Sequence, residues 1–288
     1  MIRRRRAIAA LLLAAAATLA GCQRAPQLQP ERGADAPARA LELLLQDLRD
    51  NDLAGYARHA VPPALHGSLE RAWREGRTLW PLTELPLHER LPGMLAALAA
   101  PDSERRLLAT YRRQFAGADA ELRSAAAALG LFAAQYLRTQ DHGYSEDERA
   151  HYLQLVEAMR GWGQRAPLGD LRRAQRHVPR LAAAARLTGL GTGEARMREL
   201  GMAASLERLG PFAARFKQVL ADYGLDLDAT LDGAAVTLER QDGDRARLRL
   251  RYVLAGRAIE ARLQAERRDG RWYLSDVLRH AEAEAARR

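Results

Sequence analysis

The residues best suited to chemistry fall in one short run, Asp141-His142-Gly143-Tyr144-Ser145-Glu146-Asp147-Glu148, followed by His151. On a helix starting near Ser145, Glu148 and His151 stand at i, i+3, and Asp147 and His151 at i, i+4. Either spacing sets a carboxylate beside an imidazole. A Glu-x-x-His pair can ligate iron in a helical bundle, but that needs a second such pair and further inward glutamates. Only one is present, so the run reads first as an acidic helical turn complementing the helix dipole.

Other partial motifs stop short in the same way. His88-Glu89-Arg90-Leu91-Pro92 starts like a zinc-protease helix, yet Pro92 stands where the second histidine belongs and would break that helix. Gly189-x-Gly191-x-Gly193 precedes a helix but follows helical sequence rather than a strand, so it reads as a helix end and linker. Asp276 and His280 at i, i+4 read as a pair within a terminal helix. No Gly-x-Ser-x-Gly elbow occurs. The expectation is a protein that is not an enzyme and holds neither metal nor cofactor.

The N-terminus carries a different kind of signal. Arg3, Arg4, Arg5 and Arg6 precede an uncharged apolar run from Ala7 to Ala20, which is short for a transmembrane span of about 20 residues. The run ends in Leu19-Ala20-Gly21-Cys22, and Cys22 is the only cysteine of the chain. This tetrapeptide resembles the lipobox of bacterial lipoproteins. The resemblance implies cleavage before Cys22, acylation of its thiol, and a lipid anchor in the cell envelope. Gln23, rather than Asp, after the cysteine leans toward the periplasmic face of the outer membrane. Residues 1–21 are then a signal peptide, and Gln23 to about Pro37, with Pro26, Pro30, Pro37 and Gly33, reads as a flexible tether.

The chain has 288 residues, with 45 Lys+Arg against 36 Asp+Glu and a net charge of +9. Loss of the four leader arginines lowers that to +5. Lys217 is the only lysine, so arginine use here looks like codon bias rather than a nucleic-acid surface. The envelope address also argues against nucleic acid. One cysteine excludes internal disulfides and iron–sulfur clusters. Aromatics at 6% leave Leu, Ala and Val to build the core.

Leu41, Leu44, Leu45 and Leu48 recur at helical spacing up to a break at Asn51-Asp52. Val61-Pro62-Pro63 breaks the chain again, and a second helix is expected from about Ala64 to Trp73. Pro101-Asp102-Ser103 reads as a side-chain-capped helix start and Ser145 to Glu148 as a capping box. The Gly161–Gly169 cluster should end that helix, and Gly210-Pro211 should interrupt the helical stretch from Glu194 to Tyr223.

Near Asp232 the period changes to two. Ala246, Leu248, Leu250 and Tyr252 alternate with Arg245, Arg247, Arg249 and Arg251, then Ile259, Ala261, Leu263 and Ala265 with Glu260, Arg262, Gln264 and Glu266. A two-residue turn at Ala255-Gly256 pairs Tyr252 with Ile259 and Arg251 with Glu260, so both faces agree. Asp269-Gly270 as a second such turn sets Leu274 against Ala265. For Asp242-Gly243-Asp244 a three-residue loop is expected, because it opposes Leu238 to Leu248. The fold class is therefore α+β: a mainly helical region (38–193), then a module (194–288) with a four-stranded antiparallel meander and a short C-terminal helix.

Helices followed by a meander ending in Asp269-Gly270-Arg271-Trp272-Tyr273-Leu274 resemble the NTF2-like α+β superfamily over about residues 205–280. The chain as a whole resembles lipoproteins of GC-rich proteobacteria. The expected role is a non-catalytic binding or interaction module in the periplasm, meeting an envelope protein or a small ligand. Arg245, Arg247, Arg249 and Arg251 are its candidate anion or partner face. The competing roles are a hydrolase whose residues converge only in three dimensions and a passive structural lipoprotein.

Overall fold

The computed structural model describes residues 33–85, 88–139 and 143–287. The elements run α1 (Pro37–Asp50), α2 (Leu53–His59), α3 (Pro63–Arg74), α4 (Leu91–Ala99), α5 (Ser103–Gln114), α6 (Asp119–Thr139), α7 (Glu146–Arg165), α8 (Leu171–Leu187), α9 (Glu194–Leu200), α10 (Met202–Asp222) and α11 (Leu227–Asp232). Then come β1 (Ala235–Asp242), β2 (Arg245–Leu254), β3 (Arg257–Arg268), β4 (Arg271–Leu274) and α12 (Ser275–Ala285). The protein is α+β and mainly helical, and its sheet is an antiparallel meander in the order β1-β2-β3-β4.

The helix starts and stops follow local chemistry. Asn51 ends α1 in the left-handed conformation at φ 59°, and the Asp52 side chain then caps α2 by accepting from Gly55 N–H. Pro63 opens α3, where a missing N–H costs nothing. Ser145 and Glu148 form the expected capping box: Ser145 Oγ accepts from Glu148 N–H and the Glu148 carboxylate from Ser145 N–H.

Two local expectations are corrected. The start of α5 has no side-chain cap, because Asp102 is left-handed and the buried Ser103 hydroxyl donates to Leu98 C=O at 2.6 Å. α7 ends within the Gly161–Gly169 cluster, as expected, at Arg165, with Gly161 and Gly163 inside its last turns. A Cβ on Gly163 would come within 2.9 Å of Ala126 Cβ on α6, so glycine lets the two helices approach. Pro211, by contrast, sits within α10, and the break falls earlier, at Gly201 with φ 85°. Gly210 is needed for contact instead, since a Cβ there would meet Asn51 C=O at 2.6 Å.

The sheet register is the expected one between β2 and β3, with Tyr252 opposite Ile259, Leu250 opposite Ala261 and Arg251 opposite Glu260. Leu274 lies opposite Ala265. Both two-residue turns adopt positive φ at both positions, at Ala255-Gly256 and at Asp269-Gly270. Leu238 also faces Leu248, but not through a three-residue loop. The turn is the two residues Gly243-Asp244, and the extra residue is Glu239, bulged out between Leu238 and Arg240. The register is the same; the bulge moves the odd residue from the turn into the strand.

The apolar face of the sheet is covered by α1, which touches all four strands, and by α12. Leu41 and Leu44 of α1, Trp73 of α3, Leu206 of α10, Leu248 of β2 and Leu278 of α12 share one buried cluster. Trp73 and Trp80 are fully buried within it, and the Trp73 indole N–H donates to Met197 C=O at 2.9 Å. Trp73, Trp80, Trp272 and Tyr273 thus add to the aliphatic core, while Phe115, Phe132, Tyr136 and Phe216 are exposed. The part of the tether region that is described is fixed: Gly33 and Ala34 are buried, and Ala34 bridges to Trp272 beyond the edge of β4. The opposite edge strand, β1, is mostly exposed.

Candidate functional site

The side of the sheet away from the core carries the arginines, because period two sends Arg245, Arg247, Arg249 and Arg251 outward when Ala246, Leu248 and Leu250 go inward. The structure divides these four into two pairs. Arg249 donates to Glu239, the residue that the bulge turns onto this face, and lies 3.7 Å from Glu260. Arg251 donates to Glu260 at 2.7 Å. Opposite Arg249 on β3 is Arg262, which also reaches Glu239 and Glu260, at 3.9 and 4.0 Å. Two acids thus hold three arginines together, and the Arg251, Arg249 and Arg262 charges hold the Glu260 carboxyl below the usual carboxylate range, Arg251 most strongly through its hydrogen bond.

At the other end the acids are engaged elsewhere: Asp242 and Glu266 lie opposite Arg245, but Asp242 pairs with Arg240 at 3.5 Å and Glu266 with Arg268 at 2.6 Å. Arg245 and Arg247 are exposed and make no ion pair with any described residue. Arg247 lies directly opposite Arg240 on one side and Gln264 on the other. Arg240 reaches only Asp242, at 3.5 Å. Two like charges opposed on neighbouring strands repel each other. This juxtaposition exists only because the bulge at Glu239 shifts β1 by one residue.

A second polar group lies where α7, α12 and the turn Leu82–Glu84 meet. His280 of α12 sits between two carboxylates, with Nδ1 at 3.0 Å from Glu84 and Nε2 at 3.3 Å from Glu148. Arg279 donates to Glu148 and, at 3.0 Å, to Asp276, which in turn accepts from Ser145 Oγ at 3.3 Å. The Tyr144 ring stands edge-on to His280 at 6.1 Å. The hydrogen bond that His280 Nδ1–H donates to Glu84 raises the His280 pKa against the opposing effect of burial. The two carboxylates flanking its ring nitrogens thus favour the protonated ring, and the Glu148 carboxylate at once caps α7 and ties it to α12.

The structure does not bring the paired spacings in the sequence together. His151 bonds the Tyr252 hydroxyl at 2.6 Å rather than Glu148 or Asp147, and burial lowers its pKa. Asp147 accepts from Gln264 at 3.4 Å. Asp276 pairs with Arg279 and not with His280. His88 meets Leu85 C=O in a short 3-10 turn, and Gly189 to Gly193 form the turn between α8 and α9. Cys22, Asp141 and His142 lie outside the described residues.

Sequence reasoning missed three arrangements. The Glu84–His280–Glu148 bridge joins three distant parts of the chain. The His59 ring lies 2.7 Å from the buried Asp47 carboxylate, whose pKa is raised by burial. The third is an edge plug: the Gln154 side-chain amide of α7 donates to Glu260 C=O at 2.8 Å and accepts from its N–H at 3.1 Å. It thus acts as one residue of a further strand on β3. None leaves a local pattern, because each joins residues remote in sequence.

Clefts lie elsewhere. One of 570 Å³ opens between α7 and the Ala255-Gly256 turn, with Glu157, Arg165 and Arg257 in its lining, and a smaller one of 200 Å³ lies beside His177 and Asp222. Among the described residues no group of His, Cys, Asp and Glu has metal-ligand geometry, and no helix is long and apolar enough to cross a membrane. The chain matches no family model, no curated protein and no solved structure.

Proposed function

We propose that this is a lipid-anchored envelope protein, acylated at Cys22, that works as a non-catalytic binding module and docks an acidic partner on the arginine end of its sheet. The observation that carries the docking reading is the opposed pair Arg240 and Arg247, with Arg245 beside it: Arg245 and Arg247 are exposed and make no ion pair with a described residue, the neighbouring acids Asp242 and Glu266 being paired with Arg240 and Arg268. An anion placed between opposed guanidiniums relieves their repulsion and accepts bidentate hydrogen bonds from both. The other end of the same face, already filled by Glu239 and Glu260, shows what such an arrangement looks like when satisfied. The envelope address rests on the Leu19-Ala20-Gly21-Cys22 motif. The non-catalytic reading is supported by the use of His59, His151 and His280 in bonds that hold helices to one another or to the sheet.

In-cell crosslinking of the lipidated chain, followed by mass spectrometry, tests both parts. A reproducible acidic envelope partner should be captured, and R245E/R247E should lose it while leaving the fold intact. Capture that survives the double reversal would overturn the assignment of the face. Cys22→Ala should abolish acyl labelling and release the protein from membranes; persistent labelling would overturn the anchor.

A further inference from the structure

We propose that the cleft between α8 and α10 is a second binding site, built for a small phosphate-type anion. It goes beyond the docking reading and depends on neither the anchor nor the sheet. The two helices run antiparallel. Arg208 of α10 reaches Thr188 C=O, just past the end of α8, at 3.4 Å, and Arg173 near the start of α8 donates to Asp222 C=O. Between these points lies the cleft of 200 Å³, lined by His177 and Arg180 of α8 and by Arg215, Gln218, Val219 and Asp222 of α10. His177 and Arg180 stand at i, i+3, and Arg215, Gln218 and Asp222 at i, i+3 and i+7, so one flank of each helix supplies the lining.

Charge sorts the cleft into two ends. Asp222 is the one acid of its lining, and the carboxylate lies at the His177 end, 3.0 Å from Nε2. Arg180 and Arg215 border the rest. Arg180 makes no hydrogen bond or ion pair with a described residue, and Arg215 donates only to Gln218 Oε1, at 2.6 Å. Two guanidiniums thus share one small space with no carboxylate of their own. The second observation is His177 itself. It is 3% exposed, and neither ring nitrogen has a hydrogen bond, because the Asp222 contact is close but not aligned for one. Burial lowers the His177 pKa, with Asp222 opposing and Arg176, Arg180 and Arg173 adding to the fall. A buried ring nitrogen without a partner is costly, and an entering acceptor recovers that cost. Size and charge then name the ligand. The cleft is smaller than the roughly 300–1,000 Å³ pockets of larger organic ligands. Two arginines against one acid oppose a metal ion. A carboxylate fills a single guanidinium fork, whereas a tetrahedral dianion presents oxygens to both forks and to the ring.

Titration of the detergent-solubilised full chain with inorganic phosphate tests this, on an R245E/R247E background so that the arginine end of the sheet does not compete. Calorimetry should show one phosphate bound per chain. The His177 ring signals in histidine-labelled NMR spectra, identified by His177→Gln, should shift with the same saturation. Arg180→Ala and Arg215→Ala should each weaken binding roughly tenfold or more, the loss of a charge-assisted hydrogen bond. Both side chains are exposed, so helical circular dichroism should not change. Asp222→Asn should tighten binding severalfold, because it removes the acid of the cleft. Glycerol phosphate that displaces phosphate supports a monoester as the ligand, and glycerol phosphate that does not supports the free ion. Absence of saturable binding at millimolar phosphate overturns the proposal. So does binding that both arginine variants leave unchanged, or acetate that binds as tightly as phosphate. Loss of binding in Asp222→Asn overturns it as well, since the acid would then belong to the site.

Discussion

Two polar networks in this protein are built from the same residue types and behave differently. On the outer face of the sheet, Glu239 and Glu260 hold Arg249, Arg251 and Arg262 within three consecutive strands of one meander. At the crossing of α7 and α12, Glu84, Glu148, Asp276, Arg279 and His280 are drawn from three remote parts of the chain. The Arg251 side chain is 59% exposed and that of Glu148 10%. Water can replace the partners in the first network and hardly at all in the second. Local, solvated charges are therefore free to exchange one partner for another, while the remote, half-buried ones fix the position of two helices.

The sharpest test removes the carboxylate that everything in the second network shares. Glu148→Ala strips the cap from α7 and leaves Arg279 and His280 short of an anion, so it should cost about 3 kcal/mol, in the range for breaking a buried pair from one side. Glu148→Gln should cost clearly less, because its amide oxygen still accepts from Ser145 N–H. Denaturant titration of both variants measures the difference. Equal losses would mean that the ion pairs, and not the cap, carry the stabilisation.

Next in size is the edge plug between α7 and β3. Gln154→Ala leaves the Glu260 N–H and C=O without their side-chain partner at a partly covered edge, which should cost about 1–2 kcal/mol. Hydrogen exchange at the Glu260 amide should accelerate, while the Leu250 amide, inside the β2 ladder, should not change. Uniform acceleration would show that the bond is no more than a surface contact.

Acidity separates two histidines of the same region. The pKa of His280 is raised, chiefly by Glu84, so its stabilisation is fully present below about 6.5, the ordinary histidine value. It is lost as pH rises through the higher value of the folded state. The pKa of His151 is lowered by burial, so its cost appears with the opposite sign, as pH falls below that ordinary value. Thermal melts across this range should show His280→Gln flattening the alkaline limb alone. An effect on the acid limb would mean that the Glu84 bridge does not hold the ring charged.

The sequence was most legible where both partners of a contact lie within one hairpin. Alternation along β2 and β3 gave their register and both two-residue turns, because a one-residue slip would turn every apolar side chain outward. It could not place the bulge, since a longer turn and a bulged Glu239 yield the same Leu238–Leu248 pairing. Pro211 lies inside α10 rather than breaking it, because the packing of α10 outweighs local propensity. The His280 bridge had no readable signal, and the Glu148–His151 spacing pointed to the wrong partner. That spacing is satisfied on any helix; which face turns inward is decided by the sheet.

The smallest effect on stability tests the binding face itself. Arg247 is opposed by Arg240, so Arg247→Glu replaces a repulsion with an attraction and should stabilise the fold by a few tenths of a kcal/mol. Arg251→Ala, by contrast, removes an exposed pair and should destabilise by about 0.5 kcal/mol or less. The same Arg247→Glu change should remove the acidic partner, because Glu then supplies the anion that the partner would bring. Stability and binding would thus move in opposite directions at one residue. A residue kept only for folding could not do this, since its loss would lower both. If Arg247→Glu instead destabilised the protein, the two guanidiniums would have to be held apart or hydrated in solution, and the arginine end of the sheet would be an ordinary solvated edge.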